Sequence, residues 1–170
     1  DKHFEYQIMD AHHINAEYGR YDMVIANHLL FYLDDLDKAL KEIRRVLKPG
    51  GKLICSTYGR EHMKEINELV KEFDNRIVLS ADNLYEVFGK ENGEKILKKH
   101  FGEIEWRQYE DYLNVDSADA LVSYILSCHG NQNMYIVDRY KDFRSFVKKR
   151  TDKGFHITKD AGLFVAKKLN

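Results

Sequence analysis

From Tyr21 to Tyr58 the chain reads YDMVIANHLLFYLDDLDKALKEIRRVLKPGGKLICSTY, and this stretch narrows the possible folds more than any other. Residues 23–26 are a short apolar run between polar flanks, the pattern of a strand buried on both faces of a parallel sheet. A helix is predicted from about Asp35, because Leu36, Ala39, Leu40, Ile43 and Leu47 recur at spacings of three and four and make one apolar stripe. Asp34 and Asp35 suit its N-terminus, and Lys41, Arg44, Arg45 and Lys48 suit the negative end of its dipole. Pro49 and Gly50-Gly51 bar further helix, so a tight turn is expected there, with residues 52–58 as the next strand. A strand–helix–strand unit of this length is a right-handed crossover between parallel strands, and the class is α/β.

The rest of the chain extends this pattern. Residues 4–9 read as an earlier strand ending at Asp10-Ala11. Met63, Ile66, Leu69, Val70 and Phe73 form the buried stripe of a second helix; Leu84, Val87 and Phe88 suggest a short one ended by Gly89. Asn92 is placed to cap a helix containing Ile96 and Leu97, closed by Gly102. Residues 104–112 are a strand whose charged and aromatic mix suits a position near the sheet edge. Asp116 or Ser117 then opens a helix carrying Leu121, Val122, Ile125 and Leu126. A further helix carries Ile136, Tyr140, Phe143 and Val147 and ends at Lys148-Lys149-Arg150. Residues 155–158 and 163–168 are expected as two strands joined by a turn containing Gly162.

Composition excludes several functions. With 44% hydrophobic and 32% charged residues, 170 residues make one globular domain with a sizeable core. A net charge of −1 with both signs interspersed argues against a duplex nucleic-acid partner, which calls for a basic excess. No apolar run approaches a membrane span and no secretory signal precedes the first predicted strand. Cys55 and Cys128 lack metal-ligand or redox spacing, so the expected compartment is the cytoplasm. His12-His13 invites a metal reading, but adjacent side chains point apart on any regular backbone, so no metal is expected.

The Tyr21-Asp22-Met23-Val24-Ile25 strand, the Asn27-His28-Leu29 loop and the LKPGGKL turn together resemble the middle of a class I S-adenosylmethionine-dependent methyltransferase. The resemblance covers the chain from about Phe4 onward. It implies a Rossmann-like sheet with S-adenosylmethionine as cofactor and a small-molecule methyl acceptor. In that family Asp10, with Ala11, matches the acidic strand end that accepts a hydrogen bond from the adenine amine; the alternative is that Asp10 only caps the next helical turn. Asn27, His28 and Leu29 would face the methionine portion, since ligands bind outside the carboxyl ends of parallel strands. Asp10, Asn27 and His28 are therefore expected at one rim of the sheet. Phe31 and Tyr32 would wall off the acceptor. Tyr58, His62 and Tyr124 are further acceptor-binding candidates, and His28 or His62 would serve as general base if the acceptor carries a proton.

The family pattern also implies a strand, a G-x-G-type turn and a second acidic strand end before residue 4. The 170 residues hold no G-x-G. The expectation is one incomplete domain over 1–170, truncated at its N-terminus, with 113–153 inserted as a helical lid before the last strands. Either the chain is a fragment, the reading favoured here, or a second chain supplies the missing half. Such a chain should be inactive alone. It should also form a homodimer through the sheet edge left bare by the missing strands. The alternative function is a non-catalytic protein-association domain on the same scaffold. A dehydrogenase half fits less well, because a helical insertion before closing strands is not expected there.

Overall fold

The computed structural model describes residues 4–80 and 83–169. Four strands form one open sheet in the order β1-β2-β4-β3: β1 is Tyr21–Asn27, β2 Leu47–Tyr58, β3 Ile104–Val115 and β4 Phe155–Lys167. β1 and β2 run parallel, in register from Met23 opposite Lys52 to Asn27 opposite Ser56. β4 runs antiparallel to β2, since Gly50 donates to Lys168 at one end and Gly59 to Asp160 at the other. β3 is the edge strand beyond it, as its charged and aromatic composition implied. The sheet is an open one of the Rossmann-like class I methyltransferase type.

The helices follow their apolar stripes. α1, Leu36–Val46, buries Ala39, Leu40, Ile43 and Val46 and is capped by Asp35, whose carboxylate accepts from the Lys38 N–H at 3.0 Å. α2 (Lys64–Phe73) buries Ile66, Leu69 and Val70. The short α3 (Leu84–Val87) and α4 (Gly93–Leu97) precede β3. α5 (Ala118–Leu126) is capped by Ser117, whose hydroxyl accepts from Ala120 N. What the sequence suggested as one long helix is α6 (Gln132–Ile136), a tight helical turn Val137–Arg139, and α7 (Tyr140–Thr151).

These elements form two units. The first comprises Asp1–Tyr58, Leu84–Gln108 and Gly162–Asn170; the second, Gly59–Asn83 and Tyr109–Ala161. The core of the first joins α1 (Leu40, Ile43) to the sheet (Ala26, Leu53, Cys55, Phe164, Ala166) and to Phe88, Leu97 and Phe101. The second unit has its own core, built by Leu69 and Val70 of α2, Val122 and Ile125 of α5, Phe143 and Val147 of α7, and Ile157 of β4.

Four expectations are corrected. Residues 4–9 are not a strand: no strand among the described residues takes their backbone groups, and Tyr6 and Ile8 are 91% and 108% exposed. Their apolar alternation was right for a strand, but a strand needs a ladder partner. Pro49 and Gly50-Gly51 form no separate turn, because β2 already begins at Leu47, where α1 ends. A register shift between Tyr21 and Met23 absorbs the extra residues, and Gly50 takes φ 75°, the left-handed region that glycine enters freely. Gly162 makes no turn either; β4 runs through it without interruption. A Cβ there would lie 2.4 Å from the Arg107 carbonyl oxygen and 2.5 Å from the Trp106 ring, so glycine serves close strand approach. Asn92 does not cap α4: its side chain turns back to accept from Gly89 N and donate to Glu86 O.

Candidate active site

Because β1 and β2 are parallel, Asn27 and Tyr58 end them at the same rim of the sheet. His28, just past β1, takes φ 47°, a left-handed conformation uncommon for a residue with a side chain. Two hydrogen bonds to Ser56 hold it, one to the carbonyl at 3.3 Å and one to the hydroxyl at 3.1 Å. The chain then enters a helical turn, Leu30–Tyr32, whose Leu30 and Phe31 plug into the core. Anchored on both sides, the turn leaves Asn27, His28 and Leu29 exposed.

Around His28 lies a cluster of rings. Tyr58 stacks against the imidazole at 6.5 Å and meets Phe31 edge-on at 5.5 Å. Phe31 in turn meets His28 at 6.0 Å and Tyr32 at 4.7 Å. Tyr85, from α3, meets Tyr58 edge-on at 6.5 Å. Burial pushes the Tyr58 phenol above its ordinary pKa, and the nearby phenols of Tyr32 and Tyr85 push it further, so it stays a protonated donor at neutral pH. The sequence marked Tyr32 and Tyr58 but not Tyr85, which no local pattern ties to this rim.

Asp10 lies in the loop before β1 rather than at a strand end. One of its oxygens accepts from the His12 N–H at 2.8 Å and meets His12 Nδ1 at 2.8 Å. These bonds, with the positive charge on His12 when protonated, hold the Asp10 carboxyl below the usual carboxylate range. The Asp35 N–H donates to His12 Nε2, so the neutral ring carries its proton on Nδ1, toward Asp10. The Asp10–His12 pair is thereby fixed at the start of α1, where the crossover from β1 enters the helix. Ala11 sits half-buried between them. Arg45 anchors the same loop from α1, donating to the carbonyls of Ile14 and Ala16, while Glu42 accepts from Ile14 N.

His62 and Tyr124 belong to the second unit. His62 follows Gly59, whose carbonyl accepts its N–H, and precedes Met63, a left-handed residue at φ 57° that starts α2. The half-exposed Tyr124 reaches the Met63 sulfur with its hydroxyl at 3.5 Å, and burial raises its phenol. Among the described residues no group of three or more His, Cys, Asp or Glu is arranged to hold a metal ion.

The donor set suits an adenosyl cofactor. Asp10 keeps one carboxylate oxygen without a protein partner among the described residues, as an amine acceptor requires, and Asn27 and His28 present exposed polar groups at the strand end.

The open sheet with its crossover and its rim of Asn27, His28 and Tyr58 places the chain in the Rossmann-like class I methyltransferase fold. In sequence, residues 1–55 match the family model described as a methyltransferase domain, and the chain is similar to S-adenosylmethionine-dependent methyltransferases. Over 59 residues it is 37% identical to malonyl-[acyl-carrier protein] O-methyltransferase of Methylovorus sp. (strain MP688), covering 35% of this chain and 20% of that protein. Over 69 residues it is 47% identical to sterol 4-C-methyltransferase strm-1 of Caenorhabditis elegans, covering 35% of this chain and 21% of that protein. The matches thus span about a fifth of these curated relatives. The solved YcgJ protein of Bacillus subtilis superposes with a TM-score of 0.51 at 13% identity, covering 96% of this chain and 70% of that one, which is a likeness of fold.

Proposed function

We propose that this chain is part of an S-adenosylmethionine-dependent methyltransferase acting on a small-molecule acceptor. The observation that carries the reading is the left-handed His28, held by Ser56 beside an exposed Asn27 at the carboxyl end of β1, within the segment that matches the methyltransferase family. When bound, S-adenosylmethionine supplies a sulfonium methyl open to in-line attack. Asp10 and Ala11 hold the adenine end, and Asn27, His28 and Leu29 line the methionine end. Tyr32 and Tyr58 wall the acceptor side and exclude water. His28 takes the acceptor's proton where there is one to take. The named relatives act on a malonyl-carrier and a sterol, so the common chemistry is methyl transfer to a small molecule.

The test is methyl transfer by the complete parent protein: turnover of S-adenosylmethionine that His28→Ala abolishes supports the reading, and failure to bind the cofactor at all sinks it. A purely protein-binding role is disfavoured, because the Asn27, His28 and Leu29 side chains are exposed and Asp10 keeps one carboxylate oxygen without a protein partner among the described residues.

For the chain by itself we further propose association through β1. β1 ends the sheet, and its Tyr21, Met23 and Ile25 are exposed, an apolar strand edge of the kind that recruits another strand. Light scattering over a dilution series should show a dimer that dissociates; a monomer at every concentration overturns this. The reaction is assigned to the cytoplasm, in keeping with two unpaired cysteines. No helix among the described residues is long and apolar enough to cross a membrane.

A further inference from the structure

Building on the methyltransferase reading, we propose that His12 is a positioning residue: its neutral ring ties the Asp10 carboxylate to the start of α1, and protonating that ring weakens cofactor binding. Asp10 opens a tight turn, in which its carbonyl accepts from His13 N at 3.0 Å and its Oδ1 from His12 N at 2.8 Å. Those bonds are local and would leave the carboxylate riding on a loop. The His12 ring adds the long-range link. Its Nδ1 meets the same Asp10 oxygen at 2.8 Å, while Nε2 accepts the N–H of Asp35, 23 residues along the chain, at 3.3 Å. The His12 side chain is 18% exposed and that of Asp10 65%, so the ring is shielded and the carboxylate is open to a ligand.

Asp35 caps α1, which follows on the crossover that carries Asn27, His28 and Leu29. The ring thus fixes the adenine-end carboxylate against the element that continues from the methionine-end loop. Only a neutral ring can do this, because one nitrogen must donate and the other accept. Once the ring is protonated both nitrogens donate, and the Asp35 N–H loses its acceptor. The new charge also lies against Asp10, where it competes with the cofactor amine for the same carboxylate. The charged groups around the ring are Asp10 on its own turn and Asp35 and Lys38 at the start of α1, with the neighbouring His13 acting on Glu42. Asp10 favours the charged ring, and Lys38 with the positive end of α1 opposes it. The loop has other anchors: Glu42 accepts from Ile14 N, and Arg45 donates to the Ile14 and Ala16 carbonyls. Losing the ring therefore frees Asp10 without releasing the rest of the loop.

Two measurements test this. In the 15N-labelled 170-residue chain, the Asp35 amide signal should follow the His12 ring between about pH 8 and about pH 5, the range in which histidines charge. His12→Gln keeps a donor and an acceptor without a titratable group, so there the Asp35 signal should stay still. In the complete parent protein, S-adenosylhomocysteine affinity by calorimetry should fall about tenfold over the same range, as for one lost hydrogen bond to a charged group. His12→Gln should stay within about threefold of the parent at high pH and lose most of that decline. His12→Ala should bind about tenfold more weakly even at high pH. Parallel pH profiles in the parent and His12→Gln overturn the proposal. So does an Asp35 signal that ignores His12, or undiminished binding by His12→Ala; these two decide the matter if His12→Gln fails to fold. S-adenosylhomocysteine binding that takes no notice of His12 removes this inference and leaves the methyltransferase reading standing. No binding at any pH sinks that reading and the cofactor role of His12 with it.

Discussion

The backbone N–H of His28 is shared by the carbonyl and the hydroxyl of Ser56, at 3.3 and 3.1 Å, so the residue after β1 is fixed by its parallel neighbour β2. This is how a left-handed side-chain-bearing residue is kept at the candidate site. Ser56→Ala removes one acceptor and should cost about 0.5–1.5 kcal/mol in urea unfolding. His28→Gly relieves a left-handed strain of about 1–2 kcal/mol but adds freedom to the unfolded chain. Its stability should therefore stay within about 1 kcal/mol of the parent chain, while ligand binding falls. Unfolding and binding measured on the same two variants separate strain from function.

Gly162 lies in the middle of β4, against the backbone of Arg107 and the ring of Trp106. Backbone cannot yield as a flexible side-chain tip does. Gly162→Ala should destabilise by about 1–3 kcal/mol in chemical denaturation. A neutral result would show that the strands there are not as close as 2.4 Å implies.

Lys168 is almost fully buried, with its ammonium 2.6 Å from the Leu47 carbonyl and 4.3 Å from the centre of the Tyr18 ring. The carbonyl belongs to the residue that ends α1, so the charge also faces the negative end of that helix. Lys168→Ala should cost about 2–4 kcal/mol, through lost stem packing and an unsatisfied carbonyl. Lys168→Met keeps the stem and should cost less, about 1–2 kcal/mol. Equal losses in thermal unfolding would mean that the hydrogen bond matters and the packing does not.

Much of this was legible in the sequence, for physical reasons that also explain the failures. The stripe Leu40, Ile43 and Val46, like Ile66, Leu69 and Val70, is periodic because one helix face meets one core, so local spacing suffices. Asn27 and His28 could be placed at the carboxyl end of β1 because the apolar run before them marks a strand, which needs no remote information. Residues 4–9 misled, since alternation reports a local preference while a strand depends on a remote partner. Gly162 and Pro49 misled for a related reason: glycine and proline signal turns, yet here one allows two strands to close up and the other sits inside β2. Tyr85 carried no signal at all, because its approach to Tyr58 is set by packing between distant segments.

In the second unit the Asp74 carboxyl is held well below the ordinary carboxylate range, first by the Arg76 guanidinium and the Arg76 N–H and further by Arg139. A carboxyl depressed in the folded state stabilises fold above its unfolded pKa of about 4, and that stabilisation is lost as pH falls below it toward the folded value. Thermal unfolding from about pH 7 down to about pH 3 should therefore show a shallower acid decline in Asp74→Asn than in the parent chain, with the variant less stable at neutral pH. Parallel acid limbs in the two proteins would remove Asp74 from the acid response.

The most direct test is titration of the 15N-labelled 170-residue chain with S-adenosylhomocysteine, followed by amide shifts. A complete site at roughly micromolar affinity corresponds to about −8 kcal/mol. A rim that makes two charged hydrogen bonds fewer, at roughly 1.5–3 kcal/mol each, would keep about −2 to −5 kcal/mol, a dissociation constant near or above millimolar. The shifts should be weakly saturable and centred on Asp10, Ala11 and His12 and on Asn27, His28 and Leu29, the two loops placed at the start of α1 and the end of β1. Shifts centred elsewhere, or none at concentrations well above millimolar, would contradict the assignment of this rim to the cofactor.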